Sequence, residues 1–172
     1  MIKQVKDTVK CVFEIEVSYP GSLQNEHLFL WEETTMAVVT ELIKEEETGA
    51  LSFGNYELET KTKQDGFIYN GDSYKIKTFN EITKLEKNGT FVYESVPGTA
   101  VHGFMANASK VMFSVEGDKD AQITLELEPE TEYKVHIDDI YVGKMKTNLG
   151  GKLNLSVELA EKDSTAVVIE KQ

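Results

Sequence analysis

The chain has 172 residues, 40% of them apolar, which is enough for one domain or two small ones with a real core and excludes disorder as the default. Its formal charge of −12 is spread along the whole length, giving an acidic, solvated surface that disfavours nucleic acid and anionic membrane as partners. All 18 basic residues are lysine, so any site built on the bidentate guanidinium fork is excluded.

Cys11 is the only cysteine, which rules out an internal disulfide, and a free thiol fits the cytosol. No uninterrupted apolar run follows the basic start and no stretch approaches membrane-spanning length, so a cytoplasmic location is expected. Residues 1–35 differ from the rest of the chain: they hold the only Cys and the only Trp and end in WEETT before Met36. Trp31-Glu32-Glu33 is encoded by UGG-GAR-GAR, which can contain a ribosome-binding GGAGG. Met36 is therefore expected to be the natural start, with 1–35 a translated leader. The alternative is a genuine N-terminal hairpin, since Phe13, Ile15 and Val17 alternate with Glu14 and Glu16.

From Met36 the chain reads as short β-strands separated by turn chemistry. Residues 38–47 (VVTELIKEEE) fit a helix stopped at Gly49 or, nearly as well, a strand followed by a charged turn. Residues 50–58 suggest two short strands broken at Gly54-Asn55. Asn70-Gly71 is expected to turn a hairpin between Phe67–Tyr69 and Tyr74–Lys77. Asn88-Gly89 gives a clearer hairpin, because that dipeptide accepts the positive φ values of a type I′ turn. A register centred there places Leu85 near Val92 and Glu86 near Phe91. Residues 97–109 (PGTAVHGFMANAS) are rich in small residues and turn formers, which marks 98–109 as a linker or crossover.

Beyond it, Val111, Phe113 and Val115 alternate, as do Ile123, Leu125 and Leu127 before Pro129 ends the run. Tyr133, Val135 and Ile137 share one strand face and Leu153, Leu155, Val157 and Leu159 another, with Asn148-Leu149-Gly150-Gly151 turning between segments. Ala166–Glu170 closes the series. The expected fold is all-β: an antiparallel N-terminal β unit over 36–97, the linker or crossover, and a C-terminal immunoglobulin-like β-sandwich over 110–172 without its Cys-Trp-Cys signature.

The runs GNYEL (54–58), NGDSYKIKTFNEITKLEKNGTFVYESVPGTAV (70–101) and ITLELEPETEYKVHIDDIYVGKMKTNLGGKLNLSVEL (123–159) resemble a family of small acidic bacterial proteins labelled endosialidase. The resemblance covers about Val38 to the C-terminus and carries no defined catalytic motif. The strand pattern around YKVHIDDIYVG is also similar to accessory β-domains of carbohydrate-active enzymes. These resemblances imply a carbohydrate-binding or glycan-active protein. Sialidases grip the sialic acid carboxylate with arginines, and the absence of arginine argues against such a site.

The candidate chemistry is sparse. Asp138-Asp139 with Asp118 and Asp120 could offer oxygen ligands to calcium, but the spacing matches no EF-hand and a solvated acidic loop is the expectation. Carboxylate pairs for glycoside hydrolysis are unavoidable among so many acids, and none is singled out. His102 and His136 are isolated. No GxSxG, P-loop, GxGxxG after a strand, CxxC or HExxH occurs. No catalytic residue, cofactor or metal is therefore expected. The aromatics Phe67, Tyr69, Tyr74, Phe79, Phe91 and Tyr93 cluster in the first β unit. They are either core residues or an aromatic surface, and Phe67, Tyr69, Tyr74, Phe91 and Tyr93 are the candidate binding residues for a sugar or protein partner. The function expected is non-enzymatic binding or assembly as a homo-oligomer.

Overall fold

The computed structural model describes residues 38–172, and among them are thirteen β-strands and no helix. The first six are β1 (Ile43–Glu45), β2 (Leu51–Phe53), β3 (Thr62–Tyr69), β4 (Asp72–Phe79), β5 (Ile82–Lys87) and β6 (Thr90–Val96). The rest are β7 (Ala100–Ala106), β8 (Lys110–Glu116), β9 (Ala121–Glu126), β10 (Glu132–Ile137), β11 (Ile140–Lys146), β12 (Lys152–Val157) and β13 (Thr165–Lys171). They form a seven-stranded sheet ordered β1-β2-β7-β8-β13-β10-β11 and a six-stranded sheet ordered β12-β9-β6-β5-β4-β3. Every pairing is antiparallel. The architecture is an all-β sandwich of the immunoglobulin-like kind.

Period-2 alternation is what drives the two sheets together. Leu153, Leu155 and Val157 of β12 are buried and face inward with Ile123 and Leu125 of β9, while the intervening Lys152, Asn154 and Ser156 stay in solvent. Tyr133 and Val135 of β10, Val111, Phe113 and Val115 of β8, and Val167 and Ile169 of β13 supply the opposing layer. Each such side chain taken out of water contributes about 1.5–3 kcal/mol. At the centre, Tyr93 of the six-stranded sheet meets Phe53 and Phe113 of the other sheet edge-on, with ring centroids 5.3 and 5.8 Å away.

Both expected Asn-Gly hairpins form, with positive φ at Asn70, Gly71, Asn88 and Gly89. Glu86 is opposite Phe91 as read from the turn, but a bulge then pairs Leu85 with Tyr93 instead of Val92. The extra residue turns the Tyr93 ring into the core. Residues 43–49 resolve the first ambiguity as a short strand followed by a charged turn. Residues 50–58 hold one strand rather than two. Gly54, at φ +96°, lies so close to the Thr99 carbonyl that an added Cβ would sit 2.3 Å from it, and the chain leaves the sheet there.

The stretch 98–109, expected as a linker or crossover, is mostly strand: β7 pairs with β2 on one side and β8 on the other and buries Ala100, Val101 and Phe104. Of this stretch, only the residues between Val96 and Ala100 pass from one sheet to the other, as five further connections of the chain also do. Strands β8 to β13 populate both sheets, as a C-terminal sandwich requires, but β6–β9 and β7–β8 pairing fuses them with the strands before. Residues 38–172 accordingly form one compact unit instead of two units about a linker. The expectation for residues 1–35 lies outside the described residues.

The crossover is held by a buried hydroxyl network. Thr99 Oγ1 lies 2.9 Å from the Tyr93 hydroxyl and 2.7 Å from Ser95 Oγ. Thr83 donates to the Thr99 carbonyl at 2.7 Å and sits 2.8 Å from Thr78 Oγ1. In turn, the Asn55 N–H donates to Thr78 Oγ1 at 2.9 Å. Gly98 fits beneath this network because it has no side chain: a Cβ would lie 2.0 Å from the Phe79 carbonyl oxygen. Gly98→Ala is therefore expected to cost about 3 kcal/mol in urea unfolding, at the upper end of ordinary overpacking, because the obstructing atom is backbone.

Candidate functional site

The aromatic residues marked by sequence do not form one surface. Tyr93 is fully buried and Tyr74 nearly so, and both belong to the core. Phe67 and Tyr69 are half-buried and pack against the same core, with the Tyr69 ring 5.8 Å from that of Tyr74 and its hydroxyl donating to the Gly49 carbonyl at 2.6 Å. Phe91 is half-buried between two lysines, its ring centroid 4.5 Å from Lys152 Nζ and 5.9 Å from Lys84 Nζ. Phe79 is half-buried opposite Ile82. A shared aromatic platform made of these residues is not present.

The acidic candidates serve the fold. Asp138 and Asp139 are the two positive-φ residues of the β10–β11 turn. Asp138 accepts from Lys162 Nζ at 2.8 Å and from the Ala166 N–H at 2.9 Å, and the Lys162 contact chiefly holds its carboxyl below the usual range. Asp120 accepts from the Leu159 and Ala160 N–H groups, which lower it likewise. Carboxylates lowered by folding stabilise the protein above their unfolded value of about 3.9, and that contribution disappears as pH falls through the folded values. The urea midpoint is expected to drop between pH 5 and pH 2, and by less in Asp138→Asn and Asp120→Asn. An equal drop in the variants counts against these contacts.

A second buried cluster surrounds His102. Its Nε2 lies 3.6 Å from Glu116 Oε1, and neither atom has a hydrogen-bond partner among the described residues. Glu46 accepts from the Ser52 hydroxyl, from the Gly103 N–H at 3.1 Å and from the Thr48 hydroxyl at 3.3 Å. Burial raises its carboxyl, but these bonds together outweigh burial and hold it below the usual range. Among the described residues no group of three or more His, Cys, Asp or Glu is placed to hold a metal ion.

The outer face of the seven-stranded sheet presents the more continuous feature. Met105, Met112, Val168, His136 and Tyr141 are direct cross-strand neighbours on β7, β8, β13, β10 and β11. They make one transverse row about 19 Å long, four strand spacings, across the sheet, apolar except at His136. Met105 and Tyr141 at its ends are 43% and 52% exposed, and the Tyr141 ring lies 5.4 Å from His136. The parallel row beside it is charged: Lys110, Glu170, Lys134 and Lys144.

Among the described residues this row runs into an edge that no other strand pairs with. β11 is the terminal strand of its sheet, and Ile140, Tyr141 and Val142 are exposed. A bulge opposite Val135/His136 leaves Val142 as an extra residue. The other three edges are better guarded: β1 has only three residues, β3 carries Lys63, Asp65 and a bulge at Gly66, and β12 alternates with Lys152, Asn154 and Ser156 outward. On β11 the protecting Lys144 and Lys146 come only after the apolar triplet.

A cleft of about 260 Å³ at one end of the sandwich is lined by Phe104, Val111, Leu125, Leu127 and Tyr133, with Lys110 at its rim. It falls below the 300–1,000 Å³ of ordinary small-molecule pockets. Among the described residues no helix is long and apolar enough to cross a membrane.

Among the described residues, fold and surface together define the class: an antiparallel β-sandwich with an exposed, apolar edge strand and a largely apolar outer row. Compared with known proteins, the chain matches no family model, no curated protein and no solved structure.

Proposed function

We propose that this chain is a non-enzymatic binding or assembly protein that self-associates through the outer face and β11 edge of its seven-stranded sheet. The observation that carries this reading is the row Met105, Met112, Val168, His136 and Tyr141, continuous with the exposed Ile140 and Val142. An edge strand offers unpaired N–H and C=O groups, and natural sheets guard such edges or cover them with a partner. A two-fold pairing uses the same patch on both subunits, so one surface closes the assembly. Light scattering across micromolar concentrations tests the reading: a mass above that of one chain supports it, and a monomer throughout counts against it.

A carbohydrate-binding or glycan-active protein is the second reading, favoured by the half-buried Phe91 flanked by Lys84 and Lys152. An aromatic face beside ammonium groups can stack on a sugar ring and contact its acidic substituents. Binding on a glycan array, lost in Phe91→Ala, supports this reading. Cleavage of polysialic acid by the purified protein, abolished by one carboxylate substitution, establishes turnover.

A further inference from the structure

The six-stranded sheet carries a charge arrangement that the sandwich itself does not require. Lys63, Lys77 and Lys84 are direct cross-strand neighbours on β3, β4 and β5, so three ammonium side chains leave one face in a row about 10 Å long, two strand spacings. Lys75 lies two residues from Lys77 on the same face. The four lysines and Glu86 line a groove of about 190 Å³.

Like charges set directly opposite one another destabilise a sheet. Local carboxylates relieve this only in part: Asp65 is 3.3 Å from Lys75 and Glu86 is 2.7 Å from Lys84. Among the described residues no carboxylate lies within 4.0 Å of Lys63 or Lys77. Glu94 stands opposite Lys84 on β6 and bounds the row on that side, so the charge that no carboxylate compensates lies on Lys63 and Lys77.

We propose that this groove binds a compact oxyanion carrying two or more negative charges, of the phosphate or polycarboxylate class. Ammonium groups suit such a ligand, because each is a rotatable point charge with three donors and needs no planar fork. Compactness follows from the rest of the surface. An extended polyanion that overruns the 10 Å row meets a protein of net charge −12, whereas a ligand smaller than the Debye length of about 8–10 Å stays within the lysine field. The site is independent of self-association through the opposite sheet.

Calorimetric titration of the full chain with inorganic pyrophosphate tests this. Saturable one-site binding is expected, weakened at least tenfold in the double variant Lys63→Gln/Lys77→Gln and unchanged in Lys119→Gln, which lies on the β8–β9 connection. Without ligand, the double variant should melt no lower than the parent, because it removes a repulsive pair. Citrate binding as tightly as pyrophosphate supports recognition by charge number, and pyrophosphate binding alone supports recognition of phosphate. Absence of saturable binding, equal loss in Lys119→Gln, or equal affinity for acetate overturns the proposal. So does a double variant that loses self-association while neither protein binds the anion, since the groove then meets the acidic surface of a second copy.

Discussion

Tyr93→Ala is expected to lower the free energy of unfolding by about 4 kcal/mol, the range found for deleting a large aromatic from a packed core. Tyr93 has no exposed surface, and its ring bridges the two sheets through Phe53 and Phe113. Phe104 packs edge-on to Phe53 and tilted against Phe113, with centroids 5.5 and 5.9 Å away, so a cavity left by Tyr93 borders an interlocked set of rings. At about 2–4 °C per kcal/mol for a chain of this size, the melting temperature should fall by about 8–16 °C. Tyr93→Phe keeps the ring and removes only the hydroxyl, and should cost about 1 kcal/mol, since Thr99 Oγ1 retains Ser95 as a partner. Comparable losses in the two variants would mean that the hydroxyl network, not the ring, secures the contact between sheets.

Tyr141→Asp is expected to weaken self-association about 30-fold, the equivalent of about 2 kcal/mol for losing an interfacial tyrosine and burying a charge. The residue ends the apolar row, lies on the open strand and is 52% exposed, so the substitution should leave the unfolding midpoint of the monomer within about 0.5 kcal/mol. Lys119→Gln, on the connection between β8 and β9, serves as the control that leaves association unchanged. Loss of association together with loss of fold would point to a structural role for Tyr141 in the β10–β11 hairpin. Association that survives in a folded variant removes this edge from the interface.

Local patterns were readable from the sequence wherever one strand or one turn decided the outcome. Asn88-Gly89 supplied two positive-φ residues and a hairpin with Glu86 opposite Phe91, and the alternation of Leu153, Leu155 and Val157 identified a buried face. What the sequence hid was long-range pairing. β13 inserts between β8 and β10, and β6 pairs with β9 across the expected linker, choices that local periodicity does not encode. β7 was concealed by its composition: Ala100, Gly103 and Ala106 read as loop, and the bulge between His102 and Met105 breaks the period of two.

The surface features stayed hidden for the same reason. Met105, Met112, Val168, His136 and Tyr141 each stand on a different strand, and become one row only when the strand order is known. The aromatic residues of the first unit suggested a surface because strand cores and binding platforms use the same residue types, and here the core claimed Tyr74 and Tyr93. The lysine row had a faint sequence sign: Lys75 and Lys77 alternate with Tyr74, Ile76 and Thr78, which placed them outward together.

Self-association through the seven-stranded sheet is tested most directly by light scattering of the full chain between about 1 and 100 μM, alongside Tyr141→Asp. The parent is expected to reach a mass of at least twice 19.3 kDa at the upper end, and the variant to shift toward 19.3 kDa. A parent mass of 19.3 kDa at every concentration would contradict it.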